Sequence, residues 1–128
     1  MSDYASIAKS FVNHYYGTFD NTNTRSSLTS LYRPDSYLVW EGQPSQGPEN
    51  IMAALSRSEL NVVKTQLTTI DPVPISNSGI LVVVIGNLFV DHAYDRPLKF
   101  SSTFLLQPTP GQAGGYFIEG QIFRLFLD

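Results

Sequence analysis

Apolar residues recur every three or four positions near the start of the chain: Tyr4, Ile7, Ala8, Phe11, Val12, Tyr15, Tyr16 and Phe19. That spacing gathers them on one stripe of a helix, whose start Ser2 or Asp3 can cap. The stripe is wide and aromatic, so the helix should pack hard against a sheet. Asn21, Asn23 and the neighbouring threonines form a turn. A short second helix is predicted over about Thr24 to Tyr32, with Leu28, Leu31 and Tyr32 inward and Pro34 at its end. Ser36 to Trp40 reads as a strand, and Pro44 and Gly47 mark a loop. Pro48 suits the first position of a third helix, with Glu49 in its first turn and Ile51, Met52 and Leu55 inward.

The period then changes to two. Val62 to Asp71 alternates Thr65, Leu67 and Thr69 with Lys64, Gln66 and Thr68. Pro72, Pro74 and Asn77-Ser78-Gly79 turn the chain. Ile80 to Val90 is rich in β-branched residues and reads as a central strand. Asp91 to Pro97 is a polar loop, Leu98 to Gln107 a strand, and Pro108 to Gly115 a second loop. Tyr116 to Leu127 is the last strand, where Gly120 marks a bulge. Three helices interrupted by one strand, then an antiparallel meander, predict an α+β fold: helices on one side of a strongly curved, mostly antiparallel sheet, as a cone-like roll in a single domain, 1–128.

The long strands are apolar on both faces. Val82 and Val84 oppose Leu81, Val83 and Ile85, and Phe104 and Leu106 oppose Leu105. Phe123 and Leu125 oppose Ile122, Arg124 and Phe126. If helices cover one face, a second subunit packed sheet to sheet is the simplest cover for the other. Composition agrees with this. Charged residues make up 15% of the 128, which leaves a weakly charged surface suited to an oligomer.

The net charge of −3, with eight dispersed Lys and Arg, argues against a nucleic-acid binder. There is no cysteine, hence no thiolate nucleophile and no Cys-ligated zinc. Met1 to Ser6 lacks the pattern of a signal peptide, and Ile80 to Val90 is too short to span a bilayer, so a soluble intracellular protein is expected. His14 and His92 stand at no metal spacing; neither a metal nor a cofactor is expected.

Candidate chemistry gathers at Trp40, the single tryptophan, followed at once by Glu41 and Gly42. With Asp91 they form a candidate partner pocket: an aromatic ring beside an acidic rim that can pair a Lys or Arg. The competing reading is a core ring with two solvated acids. An enzyme would use Asp91 or Glu41 as base and Tyr15 or Tyr32 as donor, but nothing in the spacing sets these together, and packing explains the tyrosines better.

Phe11-Val-Asn-His-Tyr-Tyr-Gly-Thr-Phe-Asp20, Leu31-Tyr32 and Leu38-Val-Trp-Glu-Gly42 with Gly47 resemble the nuclear transport factor 2 family. So do Gly86-Asn-Leu, Phe100 to Leu106 and Ile122-Phe-Arg-Leu125, in the right order over nearly the whole chain. The resemblance implies a cone that dimerises through its sheet. It also implies a non-catalytic transport adaptor of the nucleus and cytoplasm, acting at the nuclear pore on phenylalanine-glycine nucleoporins. Two roles are open. One is the small cofactor pairing with a large, related-domain mRNA-export receptor. The other is the homodimeric carrier of Ran-GDP. The export role is favoured, because Leu60 to Thr65 lacks the carrier's His and Gly120-Gln121 replaces its Asn-Asp. A small dehydratase- or isomerase-type enzyme is the further alternative. The expected dimer interface is Arg124, in an inter-subunit salt bridge, with Gln66, Thr68, Gln121, Phe104 and Phe123.

Overall fold

The computed structural model describes residues 3–57, 63–92, 95–112 and 115–126. Ser2, the stretch from Leu60 to Val62 and Leu127, all used above, lie outside the described residues. The chain runs α1 (Tyr4–Asp20), a 3₁₀ helix (Arg25–Leu31), β1 (Tyr32–Trp40), β2 (Gln43–Gln46), α2 (Pro48–Leu55), β3 (Val63–Pro74), β4 (Ile80–Val90), β5 (Leu98–Pro108) and β6 (Tyr116–Phe126), with one 3₁₀ turn at Ser76–Ser78. The strands form a single six-stranded sheet in the order β2-β1-β6-β5-β4-β3. All neighbours are antiparallel except β1 and β6. The helices pack on one face, giving the expected α+β cone.

The aromatic stripe of α1 does what its spacing requires. Ala8, Val12, Tyr15, Tyr16 and Phe19 are buried, and Tyr15 and Tyr16 meet Phe104 edge-on at 5.1 and 6.1 Å. The second helix is 3₁₀ rather than α, and its Ser/Thr run explains why. Ser27, Thr29 and Ser30 each donate to the carbonyl three residues back, tightening the turn at the expense of α-helical spacing.

Strand ends differ from the sequence reading wherever proline was taken as a stop. β1 begins at Tyr32 and contains Pro34, which falls in the irregular stretch between Tyr32 and Tyr37 where pairing with β6 lapses. β3 continues through Pro72 to Pro74 because it is an edge strand, where a missing N–H on the open side costs nothing. β2 was read as loop; its Gln-Pro-Ser-Gln has no apolar alternation, and it pairs only with β1.

Two register shifts decide which residues face the core. One lies in β3 between Leu67 and Thr69, so that Ile70, not Thr69, turns inward. The other lies in β6 next to Gly120, so that Ile118 and Gln121 share the inner face although they are three residues apart. This corrects half of the expected interface. Phe104, Phe123 and Gln121 are 0%, 1% and 3% exposed and belong to the core under the helices. Gln66, Thr68 and Arg124 are exposed, and the pairing sets Gln66 and Arg124 on the outer face. That face also presents Tyr37, Val73, Ile122 and Phe126, each between 43% and 52% exposed.

The end of α1 is tied to the edge strand by one carboxylate. Asp20 Oδ2 accepts from Thr65 N at 2.9 Å and Thr65 Oγ1 at 2.8 Å, while its Oδ1 is buried without a hydrogen bond. Burial raises the Asp20 pKa above the ordinary value, outweighing the Thr65 bonds and the Lys64 and Arg25 charges. The folded state therefore holds this proton more tightly than the unfolded one. The stability from this group is present at low pH and is lost as pH rises through the folded pKa. Asp20→Asn keeps an acceptor and removes the titration. Its stability relative to wild type should rise between pH 4 and pH 7, by less than about 1 kcal/mol after solvent screening. Urea melts at the two pH values would show this, and a difference that stays flat would contradict it.

Candidate functional site

The site begins with the turn that ends β1. Trp40 pairs with Gln43, leaving Glu41 and Gly42 as a two-residue hairpin loop. Both have positive φ, 51° and 85°, the geometry that matches the twist of the flanking strands. Glycine adopts it freely; for glutamate it is a strained conformation costing of order 1 kcal/mol. Hydrogen bonds hold Glu41 there. Its N–H donates to Phe123 O at 3.0 Å, and both carboxylate oxygens accept from Leu125 N, at 3.0 and 3.2 Å. Because β1 leaves the sheet after Trp40, the Leu125 N–H has no strand partner on that side. The Glu41 carboxylate replaces the missing carbonyl. Glu41 is thus a cap on the end of β6 as well as a charge at the surface.

Trp40 is 6% exposed and lies flat on Phe123, with centroids 3.9 Å apart and planes 3° apart. Phe123 continues the stack onto Phe100 at 5.2 Å. The indole closes the core and also lines a cavity of about 280 Å³. Leu88, Val90, Leu98 and Leu125 supply its apolar wall, and Glu41 and Arg57 its charged groups. The volume is below the roughly 300–1,000 Å³ of small-molecule sites, which suits one inserted side chain.

The structure brings Trp40 and Glu41 together and leaves Asp91 in the turn after β4. Asp91 follows the cavity residue Val90 but does not itself line the cavity; it and His92 have positive φ, 54° and 63°. Sequence reasoning missed Arg57, Leu88, Val90, Leu98 and Leu125. Leu98 carried a weak signal as an apolar residue, 37% exposed here, at the start of a strand. Nothing in the local sequence marks Arg57.

The tyrosines proposed as proton donors lie elsewhere. Tyr32 Oη donates to Gln121 Oε1 at 2.6 Å, so Tyr15 Oη donates to Tyr32 Oη at 2.8 Å. Gln121 Nε2 donates back to Tyr15 Oη at 3.0 Å. This ring is closed and buried. Burial raises the Tyr15 pKa and pushes that of Tyr32 well above the ordinary value, so both stay neutral. Neither lines the cavity with Glu41. A separate open groove of about 360 Å³ runs along α1, lined by Ser6, Ile7, Ser10, Phe11, His14 and Tyr116.

A cone of three helices on a six-stranded, mostly antiparallel sheet is the form of a nuclear transport factor 2 domain. The model of that domain, described as "Nuclear transport factor 2 (NTF2) domain", matches residues 7–125, and the chain belongs to this family. Nuclear transport factor 2 of Emericella nidulans is 40% identical, over 100% of this chain and 99% of that protein. The solved nuclear transport factor 2 from Cryptosporidium parvum superposes with a TM-score of 0.86 at 38% identity, covering 96% of this chain and 94% of that one. The Chaetomium thermophilum Mex67 NTF2-like domain, solved in complex with Mtr2, superposes with a TM-score of 0.71 over 98% of this chain and 100% of that one. At 18% identity it shares the fold alone.

Glu41→Ala should cost about 1–2 kcal/mol, because it leaves the Leu125 N–H without an acceptor. Its sharper signature is local: the Leu125 amide should lose protection from hydrogen exchange while the α1 amides keep theirs. Unchanged exchange at Leu125 would contradict the capping role.

Proposed function

We propose that the chain is a non-catalytic nuclear transport carrier for Ran-GDP, and that the cargo inserts an apolar side chain against Trp40. The observation that carries this is the cavity itself: one side chain in size, floored by an indole, with a half-exposed carboxylate at its edge. A Lys or Arg flanking the inserted residue would reach the lone pairs that Glu41 does not spend on Leu125. Full-length kinship with proteins named nuclear transport factor 2 supports the carrier reading. The export-cofactor role favoured by the sequence has less support, since the Mex67:Mtr2 likeness is one of fold. The candidate proton donors Tyr15 and Tyr32 are bonded to each other and to Gln121 in a buried ring away from the cavity, which favours the non-catalytic reading.

The remaining surfaces fit the same reading. The outer sheet face, with Ile122, Tyr37 and Phe126 exposed beside Arg124, would pair with a second copy. The groove along α1 would take a phenylalanine of a nucleoporin repeat, placing the carrier at the nuclear pore between cytoplasm and nucleus.

Leu98→Glu tests the cargo site without touching the core, because Leu98 is already partly exposed. It should weaken Ran-GDP binding by about ten-fold or more, the loss of one buried aliphatic contact, and leave the melting temperature unchanged. Binding as tight as wild type would overturn the assignment of the cavity. Light scattering should give twice the chain mass for the wild type and a monomer for Ile122→Arg. A wild-type monomer would remove the sheet-to-sheet dimer.

A further inference from the structure

We propose that Arg57 is a specificity-determining residue of the Trp40 cavity. It selects a docking segment that carries a carboxylate beside the apolar side chain it inserts. This rests on the cavity reading above and adds a requirement to it.

Arg57 lies two residues beyond α2 and lines the cavity with its side chain half-buried. Among the described residues it makes no hydrogen bond or ion pair. Glu41, the acid that lines the same cavity, turns both oxygens to the Leu125 N–H and forms no ion pair with Arg57. Asp91 does not line the cavity. Arg124 lies against Gly42 on the outer sheet face and does not line the cavity. Of the described lining residues Arg57 is the one cation, and no carboxylate pairs with it.

That imbalance selects a partner. An inserted side chain expels water from the mouth and desolvates Arg57 further. A guanidinium sealed off without an anion is costly, whereas one paired with a carboxylate gains two parallel hydrogen bonds through its planar fork. A segment carrying only Lys or Arg around its apolar anchor would set like charge against Arg57. A segment that also carries Asp or Glu satisfies it. Glu41 and Arg57 together ask for an aromatic or large aliphatic anchor flanked by one base and one acid.

The sign of a charge reversal tests this. Ran-GDP is titrated into wild type, Arg57→Lys, Arg57→Gln, Arg57→Glu and Leu98→Glu by calorimetry. Because Arg57 makes no bond within the described chain, its variants should melt with the wild type. Arg57→Gln should weaken binding about three-fold, and Arg57→Glu about ten-fold or more, with Arg57→Lys retaining most of the affinity. If Leu98→Glu abolishes binding while Arg57→Glu binds as wild type or tighter, the proposal is overturned and the cavity reading stands. If Leu98→Glu binds as wild type, or the wild type does not bind, both fall.

Discussion

The candidate site depends on the parallel pairing of β1 with β6, closed by the face-to-face stack of Trp40 on Phe123. This contact joins the first third of the chain to its last strand, a pairing of high sequence separation. It fixes three things together. It seals the open end of the core over Phe100 and Phe123. It sets the indole, 6% exposed, in the wall of the cavity. It also ends β1 at a turn that projects Glu41 onto the free edge of β6. A stacked aromatic pair contributes about 0.5–1.5 kcal/mol beyond its buried area, so the ring serves the fold first and the cavity second. Of the two readings of Trp40 open in the sequence, the burial shows the core ring, and the docking ring belongs to the proposed function.

The same economy holds for Glu41. A left-handed glutamate is held by hydrogen bonds to β6, and the group that relieves the strain is the group that charges the cavity mouth. A charge substitution at this position therefore disturbs the sheet as well as the surface. Leu98, which is exposed, and Arg57, which is half-buried and unbonded among the described residues, separate binding from folding more cleanly. The interior shows the converse. Tyr15, Tyr32 and Gln121 satisfy one another in a closed, buried ring at the centre of the cone.

Much of this architecture was legible in the sequence. The three-and-four spacing from Tyr4 to Phe19 and the β-branched run from Ile80 to Val90 each admitted one element type, and both formed. What escaped the sequence was register. Gln121 reads as outward by simple alternation from Ile118, yet a single extra residue in β6 returns it to the core, where it meets two tyrosines from elements far away in the chain. Phe104 and Phe123 lie on strands apolar on both faces, and alternation alone cannot choose the face for such strands. Proline misled at Pro34 and Pro72, because its cost depends on whether the missing N–H faces a neighbour. At the site, Trp40 and Glu41 were visible because they are adjacent in sequence. Arg57 was not, because its place at the mouth is set by where α2 ends against the sheet.

The central claim is that a partner's apolar side chain docks against Trp40 in the cavity. A structure of the chain in complex with Ran-GDP tests it most directly. The expected result is one aromatic or aliphatic side chain of the partner in van der Waals contact with the Trp40 indole, between Leu98 and Leu125. A partner seated on the outer sheet face or along α1, with the Trp40 cavity left unfilled, would contradict it.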